Sequence, residues 1–165
     1  MKKLIYTLLI IIVLTNNSFS AGNGNDNTGS MTDNYTKASK LIKAAKKYEK
    51  KGTVEKAQKK YAKAQKLLLK SNKEKPLQAD TLNYLGFTTR KLADYKKGEE
   101  YYLQGLQIEP NHNGINEYLG ELYMATNRID LAKERLNVLK SCNCKEYKQL
   151  KEIIEGTKKY KYLNY

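Results

Sequence analysis

The stretch NYLGFTTRKLADYKKGEEYYLQGLQIEPN at 83–111 aligns with EYLGELYMATNRIDLAKERLNVLKSCN at 117–143 at a shift of 34 residues. Leu85–Gly86 falls on Leu119–Gly120, Gly98 on Ala132, Tyr102 on Leu136 and Gly105 on Leu139. Both copies carry apolar residues at helical spacing, separated by short polar breaks at Ala93–Asp94 and Thr126–Asn127. A weaker copy precedes them at 38–71, with Leu41, Ala44, Ala45, Tyr48, Ala57, Tyr61 and Ala64, and its break falls at Lys51–Gly52–Thr53. Its offset from the next copy is 41, so seven extra residues intervene, placed near 70–78 as a longer second helix or a longer connector.

From Tyr35 onward only Pro76 and Pro110 interrupt the helical texture, and no alternating strand pattern occurs. Small residues (Ala45, Gly86, Gly120, then Ala57, Gly98, Ala132) let paired helices approach closely. Large ones, including Tyr48, Tyr61, Tyr102, Tyr123 and Leu136, fill the space between them. One such unit cannot bury its own apolar face, and about three are needed for independent stability.

The pattern large–x2–Leu–Gly–x2–Tyr, then Ala, then Phe, then Pro, at a period of 34, resembles the tetratricopeptide repeat. Copy two contributes Leu82, Leu85, Gly86, Gly98, Tyr102, Gly105 and Pro110, and copy three Leu119, Gly120, Tyr123, Ala132, Leu136 and Leu139. Asn116 stands where the family places its first large residue. The resemblance implies an all-α fold, a helix-turn-helix solenoid of three repeats (about 38–71, 79–112 and 113–146) within a domain at 35–160. A polar-backed helix at 145–159, with Tyr147, Leu150, Ile153 and Ile154 on one face, is expected to cap it.

The resemblance also implies a peptide or protein partner, held in the groove lined by the first helix of each repeat. The family's spacing places Ile42, Lys46, Glu49 and Lys50 there from copy one. Copy two adds Asn83, Phe87, Arg90 and Lys91, and copy three adds Glu117, Glu121 and Met124. Lys46, Asn83 and Arg90 are similar to part of the clamp with which some members hold a peptide's terminal carboxylate.

The first twenty residues, MKKLIYTLLIIIVLTNNSFS, read as a secretory signal peptide. Lys2 and Lys3 precede an apolar run from Leu4 to Leu14, and Ser18 and Ser20 supply the small residues of a cleavage site after Ser20. The run is too short to span a bilayer comfortably, which takes about 20 residues, and no transmembrane segment is expected after cleavage. Residues 21–34, AGNGNDNTGSMTDN, lack any apolar period and read as a disordered linker. The expected location is periplasmic or secreted, where nucleic acid is a poor partner for a basic chain.

The 165 residues carry 31 Lys plus Arg against 17 Asp plus Glu, a formal charge of +14. That charge is uneven: residues 35–78 hold 15 Lys and 3 Glu, whereas 79–165 hold 14 basic and 12 acidic residues. A second reading follows, in which the Lys-rich first repeat attaches to an anionic envelope surface, lipid or polymer. No Arg lies in that module, so the forked contacts favoured for phosphate and carboxylate are missing from it.

Chemistry is scarce. One His (His112, in the connector between copies two and three) and two Cys leave few nucleophile–base sets. The pairs Glu99–Glu100, Glu117–Glu121 and Glu152–Glu155 suit solvated helix faces, and no phosphate-cradling Gly loop occurs. The chain reads as a non-enzyme without cofactor or resident metal. Cys142-Asn143-Cys144 stays open between a tight bridge or passive thiols, a soft-metal pair and a cross-link to another chain.

Overall fold

A computed structural model describes residues 33–157. The signal-peptide reading at 1–20, most of the linker and the end of the domain beyond 157 lie outside the described residues. Seven α-helices follow one another, with no strand among the described residues. They are α1 (Asn34–Lys50), α2 (Val54–Glu74), α3 (Ala79–Lys91), α4 (Tyr95–Ile108), α5 (Asn113–Ala125), α6 (Ile129–Val138) and α7 (Lys145–Ile154). A 3-10 turn at Leu139–Ser141 joins α6 to the last connector.

The helices pack as hairpins, α1 on α2, α3 on α4 and α5 on α6, and each hairpin stacks on the next. The first helices α1, α3 and α5 also touch in succession, and α7 covers α5 and α6. This is an all-α solenoid of three helix-turn-helix units with a closing helix. Helix α2 has 21 residues against 14 in α4, so the seven extra residues lengthen this second helix rather than a loop.

Each hairpin reverses through the same device. Gly52, Ala93 and Asn127, at equivalent positions, have φ of 72°, 71° and 57°. The amide after each donates to a carbonyl five residues back: Thr53 to Tyr48, Asp94 to Thr89, Arg128 to Tyr123. The left-handed residue thereby satisfies carbonyls that the helix end leaves open. Side chains start several helices. Asp33 accepts from the Thr36 amide at 2.6 Å and Asp94 from Lys97 at 3.0 Å.

Two apolar clusters fill the stack. The first unites Ala38, Ile42, Ala45, Ala57, Tyr61, Ala64 and Leu68 with Leu82, Leu85 and Phe87. The second holds Ala79, Tyr102, Ile115, Leu119, Leu122, Tyr123 and Ala132. Helix α7 brings Leu150, fully buried, against Gly120, and its Ile153 is also buried.

Candidate functional site: the face shared by the first helices

Shifts of 41 and 34 residues place matching residues of α1, α3 and α5 in rows. One row is Ile42, Asn83 and Glu117; the next is Lys46, Phe87 and Glu121; the third is Glu49, Arg90 and Met124. The spacing of four and three along each helix keeps these rows on one face.

Contacts knit the rows together across repeats. The Lys46 ammonium lies 4.5 Å from the centre of the Phe87 ring and donates to the Tyr118 hydroxyl at 2.9 Å. Phe87 packs between Tyr61, edge to face, and Tyr118, tilted, with ring centres 5.7 and 4.8 Å away. Arg90 Nη2 meets Glu121 Oε2 at 2.7 Å, with both side chains buried. Lys91 donates to Glu49 Oε1 at 2.7 Å, and the Tyr61 hydroxyl donates to Glu49 Oε2 at 2.9 Å. Charged pairs of this kind fix geometry more surely than they add stability, because burial removes their hydration.

The same burial moves protonation. Burial pushes the Glu117 carboxyl up to about 8, helped by Glu121 and Glu146 and opposed by Lys46 and Lys145. Burial lowers Lys91 to about 8 against the pull of Glu49. Lys46 also sits below the usual ammonium range because it is buried, although Glu121 and Glu117 oppose the shift. Two acceptors on this face have no hydrogen-bond partner: Asn83 Oδ1 and Glu117 Oε1, in residues 7% and 4% exposed.

The residues expected in the groove thus fall into three sets. Lys46, Asn83, Phe87, Arg90, Lys91, Glu117 and Glu121, with Glu49, gather at the junction of the first helices. Ile42, at the position equivalent to Asn83 and Glu117, is buried in the first apolar cluster, and Met124, half-buried, packs beside the second. Lys50 is exposed at the end of α1. The family's spacing did not point to Tyr118 or Tyr61, both central here. Tyr118 follows Glu117 directly, and its reach back to Lys46 depends on how α5 is rotated on α3.

His112, expected in an exposed connector, caps α5. Its Nδ1 accepts from the Ile115 amide at 3.1 Å, while Nε2 lies 3.1 Å from Asp80 Oδ1. Cys142 and Cys144 are joined by a disulfide just before α7. Among the described residues no three His, Cys, Asp or Glu side chains converge as metal ligands. No helix among them is long and apolar enough to cross a membrane.

No family model matches the chain. The Sol locus transcriptional repressor of Clostridium acetobutylicum is 40% identical over 72 residues, covering 42% of this chain. That match spans 23% of the repressor, so the chain corresponds to less than a quarter of it. Among solved structures, the Yersinia enterocolitica type III secretion translocator chaperone SycD superposes with a TM-score of 0.52 at 14% identity, over 72% of this chain and 81% of its own. The first TPR domain of Spaghetti, solved with an HSP90 peptide, gives 0.47 at 17% identity, over 77% of this chain and 97% of its own. With three helix hairpins, a 34-residue period and small residues at the helix crossings, the chain has the tetratricopeptide-repeat fold.

Proposed function

We propose that this chain is an exported, non-catalytic interaction module that holds an extended peptide or protein segment along the face of α1, α3 and α5. One observation carries the reading. Three successive first helices direct cationic, aromatic and carboxylate side chains to a common face, and contacts such as Lys46–Tyr118 fix them across 72 positions of sequence. A face that is polar, aromatic and held in place suits recognition of a polypeptide better than passive packing does. The signal-peptide reading of residues 1–20 supports export.

The test is selection of a random-peptide library against the full chain. Selected peptides are expected to lose affinity when Lys46 is replaced by Ala and to keep it for Lys63→Ala, which alters an exposed lysine of α2. Peptides insensitive to every substitution on the face of the first helices would overturn the reading.

A second reading rests on the exposure of Lys43, Lys47, Lys51, Lys56, Lys59, Lys63, Lys66 and Lys70 on the outer sides of α1 and α2. In that reading the first repeat attaches to an anionic lipid or polymer surface. Replacing Lys56, Lys59, Lys60 and Lys63 by Gln should then abolish salt-sensitive cosedimentation with anionic vesicles. Unchanged cosedimentation excludes it.

A further inference from the structure

Most charged side chains buried on the face of the first helices are engaged by neighbours. Arg90 is set against Glu121 and Lys91 against Glu49. Lys46 is engaged by the Tyr118 hydroxyl and by the Phe87 and Tyr118 rings. Glu117 is 4% exposed, makes no ion pair within 4 Å among the described residues, and leaves Oε1 without a hydrogen-bond partner. A buried carboxyl left so is costly, and a chain that retains one has an acceptor placed for something else.

The neighbouring repeat repeats the feature. Asn83 occupies the equivalent position on α3, is 7% exposed, and its Oδ1 also lacks a partner. Amide and carboxyl oxygens both accept, and neither Asn83 Oδ1 nor Glu117 Oε1 receives a hydrogen bond, so the two share a need for donors. In the first repeat the position is Ile42, and the need disappears.

We propose that Glu117, assisted by Asn83, is a subsite for one basic side chain, Lys or Arg, of an extended polypeptide laid along α1, α3 and α5. The subsite rests on the peptide-groove reading and names the chemistry of its ligand. A guanidinium offers several donors in a fixed fork, and both a carboxylate and an amide oxygen accept them. An acidic residue at that place would leave both acceptors unmatched, and a neutral donor would leave the carboxylate without a counter-charge.

Proton bookkeeping gives the subsite a signature. The groups acting on Glu117 are Glu121 on its own helix, Lys46 on α1, and Glu146 and Lys145 on α7. Their balance with burial leaves the free carboxyl protonated at neutral pH. When a guanidinium binds, the carboxyl O–H bond breaks, its proton passes to the buffer, and the carboxylate pairs with the cation. Binding at pH 7 therefore releases close to one proton per peptide, and affinity rises with pH up to about 8.

The experiment uses the full chain and three fluorescein-labelled decapeptides, Gly/Ser/Leu-based, with a central Arg, citrulline or Glu. Citrulline keeps the shape of Arg and removes its charge. The Arg peptide is expected to bind about tenfold more tightly than the citrulline peptide, the equivalent of one charge-assisted hydrogen bond. In Glu117→Gln the ratio of Arg to citrulline affinity should fall to about one, and Glu117→Asp should keep part of it. Calorimetry in buffers of different ionisation enthalpy should show the released proton in the parent chain and not in Glu117→Gln. Equal binding of Arg and citrulline peptides, or an Arg preference that survives Glu117→Gln, overturns the subsite and leaves the groove reading standing. Failure of all three peptides to bind overturns the subsite, and the library selection remains the test of the groove. Circular dichroism confirms that each variant is folded.

Discussion

Gly86 lies directly against the ring of Tyr102. A β-carbon at Gly86 would stand 2.5 Å from Tyr102 Cε1 and 2.6 Å from Cδ1, and Tyr102 is fully buried. The ring has nowhere to retreat, so α3 and α4 must separate to admit a methyl group. Gly86→Ala is expected to cost about 1–3 kcal/mol, the usual penalty for overfilling a packed core. Urea denaturation should show a lower midpoint with an unchanged slope. Tyr102→Leu in the same chain should restore part of the loss, since the two changes act on one contact.

Ala93 and Gly52 occupy the same turn position with nearly the same φ, 71° and 72°. A β-carbon there is strained, and no heavy atom crowds one at Gly52 within 4 Å. Backbone conformation alone separates the two residues. Gly52→Ala should therefore destabilise by about 1 kcal/mol, while Ala93→Gly should be neutral to stabilising by about 0.5 kcal/mol. Thermal unfolding of the two single variants reads the opposite signs directly. A loss of more than 1 kcal/mol in Ala93→Gly would show that its methyl group packs.

These two sites also show what the sequence reveals. The turns at Gly52, Ala93 and Asn127 and the small residues at Gly86 and Gly120 could be read in advance, because a repeat must place them at fixed offsets. The seven-residue excess was visible as a shift of 41, but KSNKEK is polar and still helix-compatible. Only packing on α3 determines that α2 runs on to Glu74. The shared face was legible in part for a similar reason. Spacing along one helix picks out Asn83, Phe87 and Arg90, or Glu117 and Glu121. The partners that join the rows, Lys46 to Tyr118 and Glu49 to Lys91, depend on rotation between repeats, which no local pattern encodes.

Glu117 makes stability depend on pH. Its carboxyl is raised from 4.5 to about 8 in the folded chain. The folded state thus holds a proton that the unfolded state releases as pH passes about 4.5. Its contribution to stability is full below 4.5, declines through the interval and is lost above about 8. Glu117→Gln removes the titrating group, so melting temperature measured from pH 5 to pH 8 should fall less steeply than in the parent chain. Parallel curves for the two proteins would mean that Glu117 is already ionised in the folded state.

The disulfide and Leu150 both lie at the closing helix, and their expected contributions differ. The Cys142–Cys144 bridge spans a sequence separation of 2. So small a ring removes little freedom from the unfolded chain, about 1–2 kcal/mol by the loop-entropy relation. Leu150 is fully buried, and its methyl groups fill the space beside Gly120 that a larger residue would occupy. Leu150→Ala should cost about 2–5 kcal/mol through lost burial and the cavity left behind. The double variant Cys142→Ser, Cys144→Ser should keep its helical circular dichroism and lose no more than the smaller figure. Hydrogen exchange along α7 separates the two: reduction should expose only amides near Cys144, whereas Leu150→Ala should expose the whole helix. If reduction alone released α7 as a unit, the bridge rather than the Leu150–Gly120 contact would hold the closing helix in place.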